Sequence, residues 1–145
     1  MISRNNIQKD LGATNITKVK SFDIADDVIK RILNELKDFE NKNKFLRKDL
    51  SLNNLAKDFN TNSVYLSKIV NHYKGLSFSN YLNDLRLEYC LEQLNSNHQL
   101  RAYTIKAISS EVGFSNSESF SKAFYNKTGI KPSFYVTELN KLTRN

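Results

Sequence analysis

The sequence predicts an all-α fold in which two helix-turn-helix subdomains are joined by a long connector helix and preceded by one amphipathic helix. The 145 residues include four Gly and one Pro, too few for a fold rich in tight turns. Apolar residues recur at steps of three and four, the spacing of one helix face. Residues similar to those of Leu50–Gly75 recur in the same order over Thr104–Gly129. These features indicate a helical protein with an internal duplication.

The N-terminal third divides into a polar lead and one helix. Residues 1–20 show no sustained periodicity, so we expect a flexible lead or linker there. Residues 21–45 are predicted to hold an amphipathic helix over Phe22–Asn41, preceding the domain. Its expected apolar stripe comprises Ile24, Val28, Ile32, Leu36 and Phe39. The opposite face mixes charges of both signs, which favours packing on protein over binding to a membrane surface.

The first copy of the repeat reads as two short helices and a turn. Ser51 is a good N-cap, and Asn60–Asn62 has the composition of a turn. A second apolar stripe then ends at Gly75, a residue suited to the left-handed end of a helix. Residues 78–95 follow as the connector helix, which is apolar on more than one face and should therefore be packed on two sides.

The second copy repeats this order with a small shift. Thr104 is the expected cap, and Ile105, Ile108 and Val112 occupy the places of residues 53 positions earlier. After one extra residue in the turn, the offset becomes 54. Pro132 suits the first turn of a last helix.

Charge points to a polyanionic partner. The chain carries a net charge of +7 and has a pI near 9.5. Such an excess favours nucleic acid or an anionic membrane surface, although a basic surface without a partner has the same composition. The N-terminus lacks the apolar core of a signal peptide, and no apolar run approaches the roughly 20 residues that span a bilayer. We therefore expect a soluble, cytoplasmic protein.

The second helix of each copy carries the candidate base-reading residues. In a helix-turn-helix this helix can lie in the DNA major groove, so the side opposite its apolar stripe is the candidate surface. Short hydroxyls, amides and one lysine in each copy suit base edges, but an ordinary solvated face looks the same. The candidates are Val64, Tyr65, Ser67, Lys68, Asn71, Asn116, Ser117, Glu118, Ser121 and Lys122.

Candidate phosphate contacts come from basic side chains and from helix starts, where N–H groups point outward. They are Lys48, Ser51, Lys74, Arg101, Thr104, Lys106, Lys127 and Lys131. For Arg86 a phosphate contact and an internal ion pair or cap remain open. For Tyr103 and Tyr125 a contact with the DNA backbone and simple packing remain open.

Little in the sequence suggests catalysis. Cys90 is the only cysteine, so an intrachain disulfide is excluded. We expect Cys90 to be a small core residue. His72 and His98 are isolated from other ligand types, so we expect neither a metal nor a cofactor. No nucleophile–base pair or paired carboxylates stand out, and we predict that the protein is not an enzyme.

One stretch carries a recognisable signature. It reads GFSN at 113–116, FSKAF at 120–124 and GIKPSFY at 129–135, with Tyr81, Asn83 and Arg86 upstream. This pattern resembles the AraC/XylS family of bacterial transcription regulators over about Leu50–Leu139. The family pattern usually has an Arg after the final Tyr, where this chain has Val136.

The resemblance implies an AraC-type double helix-turn-helix domain over residues 46–142, which binds double-stranded DNA and regulates transcription. It implies two recognition helices in successive major-groove segments, and RNA polymerase as a further partner. Residues 21–49 resemble the segment that precedes this domain in regulators of Bacteroidetes type, so an upstream sensor domain is expected to be missing from this chain. The alternative is a helical protein-interaction module without DNA readout.

Overall fold

The computed structural model describes residues 24–143, and the predicted lead at residues 1–20 lies outside them. The described residues form an all-α fold, as predicted, with seven α-helices and two short 3-10 turns at Lys44–Leu46 and Leu100–Ala102. The α-helices are α1 (Asp26–Asn41), α2 (Leu52–Asp58), α3 (Ser63–Lys74), α4 (Phe78–Ser96), α5 (Ile105–Glu111), α6 (Ser117–Thr128) and α7 (Pro132–Thr143). Among the helices between residues 24 and 143, none has the length and apolarity to cross a bilayer.

The chain divides into two compact units. One contains residues 24–38 together with Ser51–Phe78, and the other contains Phe39–Leu50 together with residues 79–143. The first unit therefore includes most of α1 with the first helix pair, α2 and α3. The second includes almost all of the connector α4, with the second pair, α5 and α6, and the last helix, α7.

Helix α1 is amphipathic, but two details of its prediction were wrong. It begins at Asp26, so Ile24 is buried just before the helix, not within it. Ile29 is buried, whereas Val28 is only half-buried. Three successive steps of four drift off one helix face, because each step overshoots a full turn by about 40°. The steps of three and four from Ile29 through Ile32 to Leu36 keep the stripe centred.

In the first unit, α1 also supports the end of α2. The Arg31 guanidinium donates hydrogen bonds to the carbonyl oxygens of Phe59 and Asn60, the latter at 3.1 Å. These carbonyls lie where α2 ends and have no continuing helix to satisfy them. Arg31 belongs to the mixed-charge face of α1, and its role at the turn is visible only in the folded chain.

The core of the second unit combines aromatic residues of the signature stretch with aliphatic residues of α4 and α5. Phe120 and Phe124 are fully buried, with ring centroids 5.7 Å apart. Phe114 meets Phe120 at 5.4 Å, and Tyr135 meets Phe124 at 5.5 Å, both edge to face. These geometries are the favourable ones for aromatic pairs. These aromatic residues of the signature therefore form part of the core and do not belong to an exposed recognition surface.

Arg86 is buried and binds backbone carbonyls within the protein, which decides between the phosphate contact and the internal role left open for it. Its side chain is 6% exposed, and it donates to the carbonyl oxygens of Phe45 at 2.6 Å and Arg47 at 2.5 Å. Its guanidinium lies 5.8 Å from the ring centre of Phe114. Burial lowers the pKa of Arg86 to about 10. These contacts hold the segment after α1 against α4 and leave no role for Arg86 at a DNA phosphate.

Gly113 is required beside the Arg86 side chain. It has a φ of 96°, in the region that side chains other than glycine rarely adopt. A Cβ there would lie 2.8 Å from Arg86 Nε and 2.9 Å from the Leu46 carbonyl oxygen. The glycine therefore serves backbone geometry and close packing.

Candidate nucleic-acid interface

Each predicted helix-turn-helix is present, and the two copies share one local construction. A capped helix of seven residues leads through a turn to a capped helix of twelve residues, which ends at a left-handed glycine. Ser51 Oγ accepts from Asn54 N at 3.1 Å, and Thr104 Oγ1 accepts from Ala107 N at 3.0 Å. The final glycines are Gly75 and Gly129, with φ of 70° and 81°.

The turns are also built alike. Asn60 and Gly113 both have positive φ and donate their N–H to carbonyls three residues earlier, Lys57 O and Ser110 O. The extra residue of the second copy is accommodated after this point, at Ser115, before the next cap. The repeat inferred from the sequence is therefore a repeat of backbone hydrogen bonds.

Helix α3 presents the predicted candidate face to solvent. Val64 is 57% exposed although it is apolar, and Lys68 and Asn71 are exposed on the same side. Tyr65 and Ser67 flank this row and are half-buried. Leu66, Ile69 and Val70 on the opposite side are fully buried, which fixes the orientation of the helix.

Helix α6 presents a corresponding face. Glu118 and Lys122 are exposed, with Ser117 and Ser121 half-buried beside them. Tyr125 continues the row one turn later and is 53% exposed. The sequence left Tyr125 between packing and a backbone contact, yet the offset of 54 makes it the equivalent of Asn71. Applying the repeat to every position of the helix would have identified it.

Asn116 has a structural role that was missed. Its Oδ1 accepts a hydrogen bond from Ser119 N at 2.8 Å and so caps α6. Asn62 does the same for α3, accepting from Tyr65 N at 2.9 Å. An asparagine directly before a helix is a preferred cap, so the local sequence did contain this signal.

The structure separates seven of the eight phosphate candidates into three groups. Lys48, Lys74, Lys106 and Lys131 have exposed side chains. Ser51 and Thr104 are helix caps, as described above. Lys127 Nζ lies 2.6 Å from Asp84 Oδ1 and 3.8 Å from Glu88 Oε1, so its charge is engaged by the connector helix.

Arg101 requires a correction. It is 4% exposed, and its guanidinium donates to Leu94 O at 2.7 Å and Asn140 Oδ1 at 3.0 Å. It also contacts His98 Nδ1. A buried guanidinium with these partners ties the end of α4 to α7 and is not available to DNA. A sequence-based list of basic residues cannot detect this, because the way the helices pack decides which acceptors surround the guanidinium.

Cys90 and the histidines suggest no chemistry. Cys90 is buried, and burial raises the pKa of its thiol to about 12, so the reactive thiolate is disfavoured. Within residues 24–143, no cluster of three or more His, Cys, Asp or Glu side chains could hold a metal ion.

Comparison with known proteins identifies the fold family. A sequence profile described as a helix-turn-helix domain matches residues 55–138. The chain is 39% identical over 93 residues to the Msm operon regulatory protein of Streptococcus mutans, covering 62% of this chain and 31% of that protein. It is 36% identical over 87 residues to the uncharacterized transcriptional regulatory protein YesN of Bacillus subtilis, covering 59% and 23%. The chain thus spans less than a third of either relative.

Among solved structures, the chain is similar to the C-terminal domain of AraT, a response regulator from Geobacillus stearothermophilus. The TM-score is 0.60 at 28% identity, covering 77% of this chain and 84% of that one. On these grounds the chain belongs to the AraC-type family of helix-turn-helix domains.

Proposed function

We propose that this chain is the DNA-binding part of a transcription regulator that reads double-stranded DNA with α3 and α6. The observation that carries the proposal is the equivalence of Lys68 and Lys122. Each stands on the exposed face of the twelve-residue helix of its pair, at the same position of the repeat. Two equivalently built helices that each present a lysine to solvent suit a duplicated major-groove reader, because lysine can donate to guanine.

The exposed faces can read bases by ordinary donor and acceptor chemistry. Lysine can donate to guanine O6 and N7, asparagine can pair with adenine, and glutamate can accept from cytosine N4. Val64 can contact a thymine methyl group. In this proposal α3 contributes Val64, Tyr65, Ser67, Lys68 and Asn71, and α6 contributes Ser117, Glu118, Ser121 and Lys122. Asn116 acts first as a cap.

Phosphate contacts position the two helices. We assign this role to the exposed lysines, Lys48, Lys74, Lys106 and Lys131, and to the starts of α2 and α5 at Ser51 and Thr104. Because each neutralised phosphate releases counterions, DNA binding should weaken steeply as salt is raised. The two recognition helices would enter groove segments about 34 Å, or about 10 bp, apart.

The chain forms part of a larger regulator in this proposal. It spans less than a third of the two regulatory proteins it resembles, which leaves room for a sensor domain. Residues 46–142 are the DNA-binding domain, and residues 21–45 connect it to the upstream part. The regulator works in the cytoplasm, contacts RNA polymerase and has no catalytic role.

The test is selection of duplexes from a random pool, followed by gel-shift titration at two salt concentrations. Lys68→Ala and Lys122→Ala should each lose on the order of 1–3 kcal/mol on the selected duplex and discriminate less at one base pair. Lys57→Ala, an exposed lysine of α2 outside the proposed interface, is the matched control. If no duplex is bound at low salt, the protein-interaction module becomes the better account.

A further inference from the structure

A cleft beside α6 extends from the base-reading candidates Ser121 and Lys122 to the loop before α7. It has a volume of about 490 Å³, within the range of about 300–1,000 Å³ typical of ligand sites. Side chains from three helices and the loop before α7 line it: Ile105, Ser121, Lys122, Tyr125, Asn126, Lys131, Pro132 and Ser133. Two of these residues are lysines, and no carboxylate is among them. The cleft is therefore complementary to an anion.

The residues that line the cleft include both apolar and hydrogen-bonding side chains. Ile105, Pro132 and the Tyr125 ring provide apolar contact area, whereas Lys131, Asn126 and Ser133 provide hydrogen-bond donors. A phosphodiester with its deoxyribose has the same division, since an anionic group is attached to a mostly apolar ring. The cleft is open to solvent, which suits a polymer that must enter and leave it at both ends.

We propose that this cleft seats one phosphodiester and the attached deoxyribose of the DNA strand beside α6. The inference rests on the proposed function and extends it. It adds Tyr125, Asn126 and Ser133 to the DNA-contacting residues and assigns Lys131 to one particular phosphate. Lys122 also lines the cleft, and in this proposal it reaches a base edge while Lys131 holds the backbone.

The repeat indicates that this seat is stronger in the second copy. At the offset of 54, Lys131 corresponds to Ser77 and Tyr125 corresponds to Asn71. The second copy therefore has a lysine where the first has a serine, whereas the ring of Tyr125 is offset in the first copy by His72 and Phe78, at the positions of Asn126 and Pro132. The cleft fixes where α6 lies on the duplex more than it selects a base sequence.

The experiment uses a duplex selected by the parent chain and a series in which single linkages are replaced by neutral methylphosphonates. Lys131→Ala should weaken binding to the unmodified duplex roughly threefold to tenfold and lower the salt slope by about 1. For the parent chain, replacing one or two particular linkages by methylphosphonates should reduce affinity. For Lys131→Ala, replacing the same linkages should cause no further loss of affinity, since the contact is already absent. Tyr125→Ala should weaken binding without changing the salt slope.

Lys141→Ala is the matched control. Lys141 is an exposed lysine at the other end of α7, paired with Glu138 at 3.1 Å, and its loss should leave the linkage profile as in the parent. Circular dichroism checks that each variant is folded. If the parent binds DNA but Lys131→Ala responds to every linkage as the parent does, the cleft assignment is overturned. If the parent binds no duplex, the proposed function itself fails.

Discussion

The two helix pairs have the same hydrogen-bonded frame but are held by different neighbours. In the first copy the turn residue with positive φ is Asn60, which is exposed and whose carbonyl accepts from Arg31. In the second copy it is Gly113, which is buried against the Arg86 side chain. Asparagine tolerates the left-handed region, so an exposed turn can use it. Only glycine fits where a side chain and a carbonyl both approach within 3 Å.

This difference shows that two requirements decide which residue a turn can hold. Local chemistry selects residues that can adopt positive φ, and tertiary packing then decides whether a Cβ is allowed. The two arginines differ in a similar way. Arg31 supports its turn from an exposed position, whereas Arg86 is buried and joins three segments of its unit. We therefore expect the second copy to be the more sensitive of the two to substitution.

The largest effect is expected for Arg86→Ala. The substitution leaves the carbonyls of Phe45 and Arg47 without their donor and opens a cavity beside Phe114, so the free energy of unfolding should fall by about 4 kcal/mol. Arg31→Ala removes a more exposed contact and should cost about 1 kcal/mol. Urea denaturation of both variants measures the difference. Equal losses would show that the two turns depend equally on their arginines.

Gly113→Ala should follow, with a loss of about 3 kcal/mol from backbone strain and the displaced Leu46 carbonyl. Gly129→Ala is the control, because Gly129 also has positive φ but a Cβ there would meet nothing within 4 Å. It should lose about 1 kcal/mol. Thermal unfolding compares Gly129→Ala, which has backbone strain alone, with Gly113→Ala, which has backbone strain and a steric clash. The packing argument is wrong if both lose the same amount.

Tyr81 and Tyr135 are equivalent residues with unequal partners. Tyr81 donates to Glu40 Oε2 at 2.5 Å, whereas Tyr135 Oη accepts from the exposed Asn95 at 3.0 Å. Tyr81→Phe should lose about 1.5 kcal/mol and Tyr135→Phe about 0.5 kcal/mol, since hydrogen bonds to charged groups are the stronger ones. Chemical denaturation near neutral pH gives both values.

The Tyr81 contact should also appear in the pH dependence of stability. Burial, followed by the hydrogen bond and charge of Glu40, raises the pKa of Tyr81 far above 10. The unfolded chain therefore ionises first. The stabilisation is complete below pH 10 and is lost as the pH rises toward the folded pKa. Tyr81→Phe should flatten the fall in unfolding free energy above pH 10, and an unchanged slope would contradict the assignment.

A small effect is expected at the caps of α3 and α6. Asn62→Ala and Asn116→Ala should each lose about 1 kcal/mol of stability, because each removes a cap acceptor. Asn116→Ser should restore stability, since serine caps as well. If Asn116→Ser is as stable as the parent but binds DNA with altered base preference, Asn116 reads a base in addition to capping. If affinity and preference both match the parent, it acts only as the cap.

The sequence by itself determined the helices, the turns and the duplication. N-caps, turn asparagines and final glycines act within a few residues, and the apolar stripes act within one helix. The boundaries at Ser51, Gly75, Thr104 and Gly129 could therefore be predicted from the chain. So could the exposed rows of α3 and α6, because they lie opposite stripes that must be buried.

Only the tertiary structure decided where the long charged side chains end. Arg101 was predicted to contact phosphate but is buried against the end of α4, and Lys127 is paired with the connector. Their partners lie 7 and 43 residues away in sequence. A guanidinium or ammonium binds whichever carbonyl or carboxylate is left unsatisfied nearby in space, and that location depends on how the helices pack. Local patterns therefore specify the elements of this protein, whereas packing determines which of its cations remain available to a partner.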